Sequence, residues 1–191
     1  MWSRLQPVSW RSLVARLSAL VLAVLVSSPA YSQPAAPTKK VALTAHGGAS
    51  LTTPDYREVR KDAAVVVLEQ LPEPAQQKTF RVLVLAIEEG PTGPVEAIPW
   101  DKVKDNVVSS AGKSGRTLTL SVGEPFVDAS GFAGRRLVGE LAAPNGKKVA
   151  IELVALVKEE KLVTIGMLAE AVGATERAVL DGIAKTVKLG N

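Results

Sequence analysis

Thr79-Phe80-Arg81-Val82-Leu83-Val84-Leu85-Ala86-Ile87-Glu88 is the stretch on which the fold turns. Successive side chains on a strand point to opposite faces. Phe80, Val82, Val84 and Ala86 therefore share one face, and Arg81, Leu83, Leu85 and Ile87 share the other. Both faces are largely apolar, and a strand of that kind belongs in a sheet covered on both sides.

Upstream, Val41–Ala45 reads as a strand, His46–Ser50 as a turn and Tyr56–Val59 as a short extended piece. Asp62–Gln70 holds the run Ala63-Ala64-Val65-Val66-Val67-Leu68, rich in β-branched residues and ended by Pro72 and Pro74. Downstream, Pro99 opens a helix in which Trp100, Val103, Val107 and Ala111 recur at helical spacing. Leu118, Leu120 and Val122 alternate in the strand Arg116–Val122. Asn145-Gly146 lies between the strands Arg135–Leu141 and Lys148–Val157, and both residues tolerate the positive φ of a tight hairpin. The polar turn Lys158–Lys161 leads into the strand Leu162–Leu168. Thr175 then reads as the cap of a closing helix, Glu176–Lys188, with Leu180, Ile183, Ala184 and Val187 as its apolar stripe and Arg177, Asp181 and Lys185 toward water. Two amphipathic helices and one sheet with two apolar faces predict an α+β fold: an antiparallel β-sheet covered by helices, an α/β/α sandwich.

This order of pieces resembles the PsbP-like superfamily, which includes the DcrB-like and LpqN-type exported bacterial proteins. The resemblance runs over roughly Val41–Leu189. It is carried by the short first strand, the long strand Thr79–Ile87, the helix Trp100–Ala111, the segment Gly131-Phe132-Ala133-Gly134-Arg135, the Asn145-Gly146 hairpin and the closing helix. It implies an α/β/α sandwich that binds or scaffolds other proteins, and it carries over no catalytic residue.

Residues 1–32 have the layout of a secretory signal: a basic stretch with Arg4, Arg11 and Arg16, an apolar run Leu17–Val26, and the small residues Ala30 and Ser32 before a cut at Gln33. The apolar run is about ten residues, half of the roughly 20 that a spanning helix needs. The reading divides the chain into a signal peptide (1–32), a Pro/Ala-rich disordered lead (33–40) and one domain (41–191). The processed protein is placed in the periplasm or outside the cell, with no stable membrane insertion. The cut changes the charge argument. The 191-residue chain has 23 Lys+Arg against 19 Asp+Glu, and the leader holds three of the arginines and no acid. The remainder is nearly neutral, so the basic balance that would suggest nucleic acid disappears. Cysteine is absent from the chain, which excludes thiolate metal sites and a thiol nucleophile.

No constellation in the sequence has catalytic spacing. His46, the one histidine, lies in a Gly-rich turn. Gly112-Lys113-Ser114-Gly115 lacks the Gly-x-Ser-x-Gly elbow and joins a helix to a strand, the reverse of that motif. Asn145-Gly146-Lys147-Lys148 lacks the glycine and hydroxyl of a phosphate loop. Glu88-Glu89 and Glu159-Glu160 are adjacent acids that a strand would send to opposite faces. Pro125-Phe126-Val127-Asp128-Ala129-Ser130-Gly131-Phe132 stands out instead. It puts two of the five aromatics beyond the leader into one connection, and loops on a rigid scaffold often carry recognition. Phe126, Asp128, Phe132 and Arg135 are the candidate partner-binding residues; the aromatics read first as core filling, and recognition through this connection requires Phe132 to be at the surface. The function expected is that of an exported, non-catalytic binding or accessory protein, without cofactor or metal, acting on another protein of the cell envelope. The alternatives are a carrier of a small apolar ligand and a hydrolase.

Overall fold

A computed structural model describes residues 39–70, 81–90, 97–113, 117–127, 131–142 and 146–190. The leader, Phe80, Asp128, Asn145 and the Gly112–Gly115 exit lie wholly or partly outside the described residues.

Seven strands form one antiparallel sheet in the order β3 (Arg57–Lys61), β4 (Val65–Glu69), β5 (Arg81–Glu89), β9 (Lys161–Ala169), β8 (Lys148–Lys158), β7 (Ala133–Ala142), β6 (Thr117–Val127). The run expected to be doubly covered is β5, and every residue from Arg81 to Glu88 is buried. Val82, Val84 and Ala86 enter a core on one face, together with Trp100, Val103 and Val107 of helix α1 (Trp100–Lys113). Leu83, Leu85 and Ile87 enter a second core on the opposite face.

The cover of that second face corrects the expectation of an α/β/α sandwich. Among the described residues there are ten strands and two α-helices, and the helices do not form the layers. A separate three-stranded sheet, β1 (Lys39–Leu43), β2 (Ala49–Thr53) and β10 (Lys188–Leu189), lies over the second face beside helix α2 (Ala174–Ala184). The molecule is predominantly β. The reason is local. Ala49-Ser50, read as part of a turn, begin a strand whose Ala49, Leu51 and Thr53 alternate inward. The closing helix stops at Ala184, not Lys188, and the chain re-emerges as a strand. Thr186 fixes the change: its hydroxyl donates to the Ile183 carbonyl at 2.7 Å and accepts from the Thr52 amide at 2.8 Å.

Helix α2 carries the predicted apolar stripe. Leu180, Ile183 and Ala184 are fully buried, with Val187 just beyond the helix end. Its cap differs from the one expected. Gly173 is the N-cap, and the Glu176 carboxylate accepts from the Gly173 amide at 3.0 Å. Glu176 also accepts from Arg81 Nε at 3.0 Å, and Arg81 Nη1 donates to Gln70 Oε1 at 3.0 Å. Burial alone would raise the Glu176 pKa, but the hydrogen bonds from Arg81 and from the backbone outweigh it and hold the carboxyl below its ordinary range. Arg177, expected in water, is half exposed, but its Nε donates to Glu152 Oε2 at 2.9 Å. Glu152, fully buried on β8, also accepts from Arg136 Nη1 at 2.8 Å, and Arg136 reaches on to Asp181. Ions on three elements thus pin α2 over the sheet.

Candidate binding groove

The chain reverses between β8 and β9 through Glu159 and Glu160, whose φ values are +52° and +57°. A two-residue hairpin with both central residues in the left-handed region twists with its strands, but glutamate enters that region at a cost of about 1–2 kcal/mol per residue. The Gly90 amide braces the turn by donating to the Glu160 carbonyl at 2.6 Å. Nearby, Lys161 Nζ donates to the Gly190 carbonyl at 3.3 Å, and the Gly190 amide donates to the Gly48 carbonyl at 2.9 Å. The strained hairpin, the end of β10 and the His46 turn therefore meet at one end of the molecule. His46 lies on that rim, with Nδ1 3.7 Å from Glu89 Oε1.

Between the hairpin and β10 runs an open groove of about 550 Å³, lined by Phe132, Lys158, Glu159, Lys161, Val187, Lys188, Leu189 and Gly190. Phe132 and Val187 are buried beneath its floor, and partly exposed Leu189 is the apolar side chain of the lining that reaches its surface. Its walls carry three ammonium groups against one carboxylate, so its field favours an anionic ligand. Lys158 Nζ stands 5.3 Å from the centroid of the Phe132 ring, within cation–π range. Charged residues make half of this lining, which departs from the apolar pocket that a carrier of a greasy ligand would need.

The sequence-selected residues fall in different places. Phe132 lines the groove, but its ring is a core member at 1% exposure, so the connection is not held to a partner by an exposed aromatic and that reading of it fails. Gly131, at φ +78°, turns the chain so that the next side chain enters the core between the two sheets. Phe126 is also buried, with the Arg136 guanidinium 5.3 Å from its centroid. Arg135 belongs to the other face: it pairs across β8 with Ala155, a member of the α1-side core, and its Nη1 donates to the Gly123 carbonyl at 3.4 Å. Asp128 lies outside the described residues. Of the three that are described, only Phe132 lines the groove. In the sequence the three lysines carry no sign of a site, because Lys158 and Lys161 read as solvated turn residues and Lys188 as the end of a helix. The alternation Val187-Lys188-Leu189, apolar-charged-apolar, was the one signal of a strand there.

Among the described residues no helix is long and apolar enough to cross a membrane, and no cluster of three His, Asp or Glu residues is set to hold a metal ion.

No protein-family model matches the chain, and no curated protein matches it either. Solved structures do. The solution structure of cyanobacterial PsbP (CyanoP) from Synechocystis sp. PCC 6803 superposes with a TM-score of 0.54 at 18% identity, covering 86% of this chain and 98% of that one. The fold is PsbP-like. A Bacteroides thetaiotaomicron crystal structure matches at TM-score 0.44 and 11% identity over 75% of this chain and 45% of that one. A Pseudomonas aeruginosa protein, PA94, matches at 0.36 and 16% over 75% and 87%. Both superpositions are too loose to bear on function.

Proposed function

We propose that this PsbP-like chain is an exported, non-catalytic binding protein of the cell envelope, of the DcrB-like and LpqN-type kind, which engages a partner protein through the groove between the β8–β9 hairpin and β10. The observation that carries the reading is the groove itself: partly exposed Leu189, backed by the buried side chains of Phe132 and Val187, beside the ammonium groups of Lys158, Lys161 and Lys188. Apolar contact with a charged rim is the usual anatomy of a protein interface. The leader-like segment 1–32 supports export, with cleavage after Ser32.

Two measurements test this. Cell fractionation with intact-mass analysis is expected to find a product beginning at Gln33 in the periplasm or the medium; a full-length membrane product overturns the export reading. Cross-linking in the native envelope is expected to join one partner to the wild-type protein. Lys188→Glu, on an exposed side chain, should weaken that capture about tenfold and leave the thermal melt unchanged. Equal capture by both proteins removes the groove from the proposal.

A further inference from the structure

We propose that the groove takes an extended, acidic segment of the partner protein, added as a strand along the outer edge of β10. This rests on the groove's being the binding site, and it names the class of ligand.

The edge follows from the pairing. β10 runs antiparallel to β2 with Lys188 opposite Ser50 and Leu189 opposite Ala49. The next pair, Gly190 with Gly48, is hydrogen-bonded through the Gly190 amide. Antiparallel ladders alternate between bonded and non-bonded pairs. Leu189 is thus the non-bonded position, and its N–H and C=O point away from β2. Among the described residues β10 is the terminal strand of the small sheet. Four consecutive residues, Val187–Gly190, line the groove, and none of β2 does. The groove therefore runs along the edge at which the Leu189 backbone is offered. A terminal edge of this kind is a template for an added strand.

The charge selects the occupant. An incoming strand would lie among Lys158, Lys161 and Lys188, opposed by Glu159 alone. Its acidic side chains can pair with the lysines while an apolar one rests on Leu189, beneath which Phe132 and Val187 are buried. The same charge argues against a second copy of this chain. Pairing β10 with β10 would set Lys188 and its neighbours against an identical set of lysines, and like charges oppose association.

The probe is a capped hexapeptide alternating Glu and Val, titrated calorimetrically into the protein as its own cells process it. Three comparisons accompany it: the same peptide with Gln for Glu, the same peptide N-methylated at alternate amides, and glutarate as a free dicarboxylate. The Glu peptide is expected to bind, with the Gln and N-methyl forms each weaker by about tenfold or more. Hydrogen exchange at the Leu189 amide should slow at least about tenfold when the peptide is bound, as an amide taken into a ladder does. Equal binding of the N-methyl form overturns strand addition, and equal binding of the Gln form overturns charge selection. Glutarate binding as tightly as the peptide shows a small-anion site and overturns the peptide reading. A concentration-dependent dimer blocked by Lys188→Glu overturns the choice of partner. If envelope capture depends on Lys188 and the Glu peptide does not bind, this inference fails while the proposed function stands. If capture is also indifferent to Lys188→Glu, the groove reading fails as well.

Discussion

Glu176 is the residue whose chemistry is most exposed to test. Its carboxylate ties α2 to Arg81 and to the Gly173 amide, and its pKa in the folded chain lies below the ordinary glutamate value. A carboxyl with a depressed folded pKa stabilises the fold fully above its unfolded pKa, and loses that contribution as pH falls through the folded one. Stability measured by urea melts is therefore expected to decline as pH drops below about 4.3, and Glu176→Gln should flatten that part of the profile. An unchanged profile would show that the Arg81 pair does not bias the equilibrium. At neutral pH, Glu176→Ala should cost roughly 3 kcal/mol, because it leaves a buried guanidinium short of its counter-ion. At this scale the sequence was legible wherever periodicity governs. Leu180, Ile183 and Ala184 face the core as their spacing requires. Pairings across elements were not legible: nothing near Arg177 in the chain announces that Glu152, on another element, sits beneath it. Nor does the sequence show that Gly131 adopts a positive φ and carries Phe132 inward.

The β8–β9 hairpin shows the same division at the scale of an element. The polar turn Lys158–Lys161 was readable, but the left-handed conformation of Glu159 and Glu160 was not, since glutamate is a poor choice for it. A poor local choice at the lip of a groove fits a turn selected for its surface over its stability. Glu160→Gly is expected to raise stability by about 0.5–1 kcal/mol, readable as a higher urea midpoint at constant slope. A loss of stability would mean that the Glu160 side chain holds the turn in a way its backbone does not reveal. The strand β6 also runs beyond the alternation that marks it in the sequence. It continues past Val122 through an irregularity to pair Pro125 with Arg135. Proline lacks an amide to donate, so a strand that runs through it suits a sheet edge, and β6 is the edge. The other edge, β3, is protected by composition: Arg57, Glu58, Arg60 and Lys61 are all exposed, with a bulge between Glu58 and Arg60.

Across the whole molecule, the double cover of β5 was legible in one line of sequence, and the nature of the second cover was not. The small sheet joins β1 and β2 to β10, and two strands of five residues with one of two leave little periodicity to detect. Its strength lies in closure. A chain ended after Ala184 would lose buried Val187, the Thr186 bonds to β2 and the β10 pairing, and is expected to lose about 4 kcal/mol, much of a typical domain's stability. A truncated protein melting like the whole chain would show that β10 is an ornament of the fold. The closure also sets an order in time. The chain is made from its first residue, yet Val41, Leu43 and Leu51 obtain part of their cover from residues beyond 180. At synthesis rates of about 5–20 residues per second, they wait roughly 7–30 s for it. For that interval the nascent chain presents an apolar, half-built sheet to whatever surrounds it, and a chaperone that holds such surfaces would find its substrate in the first strands to emerge.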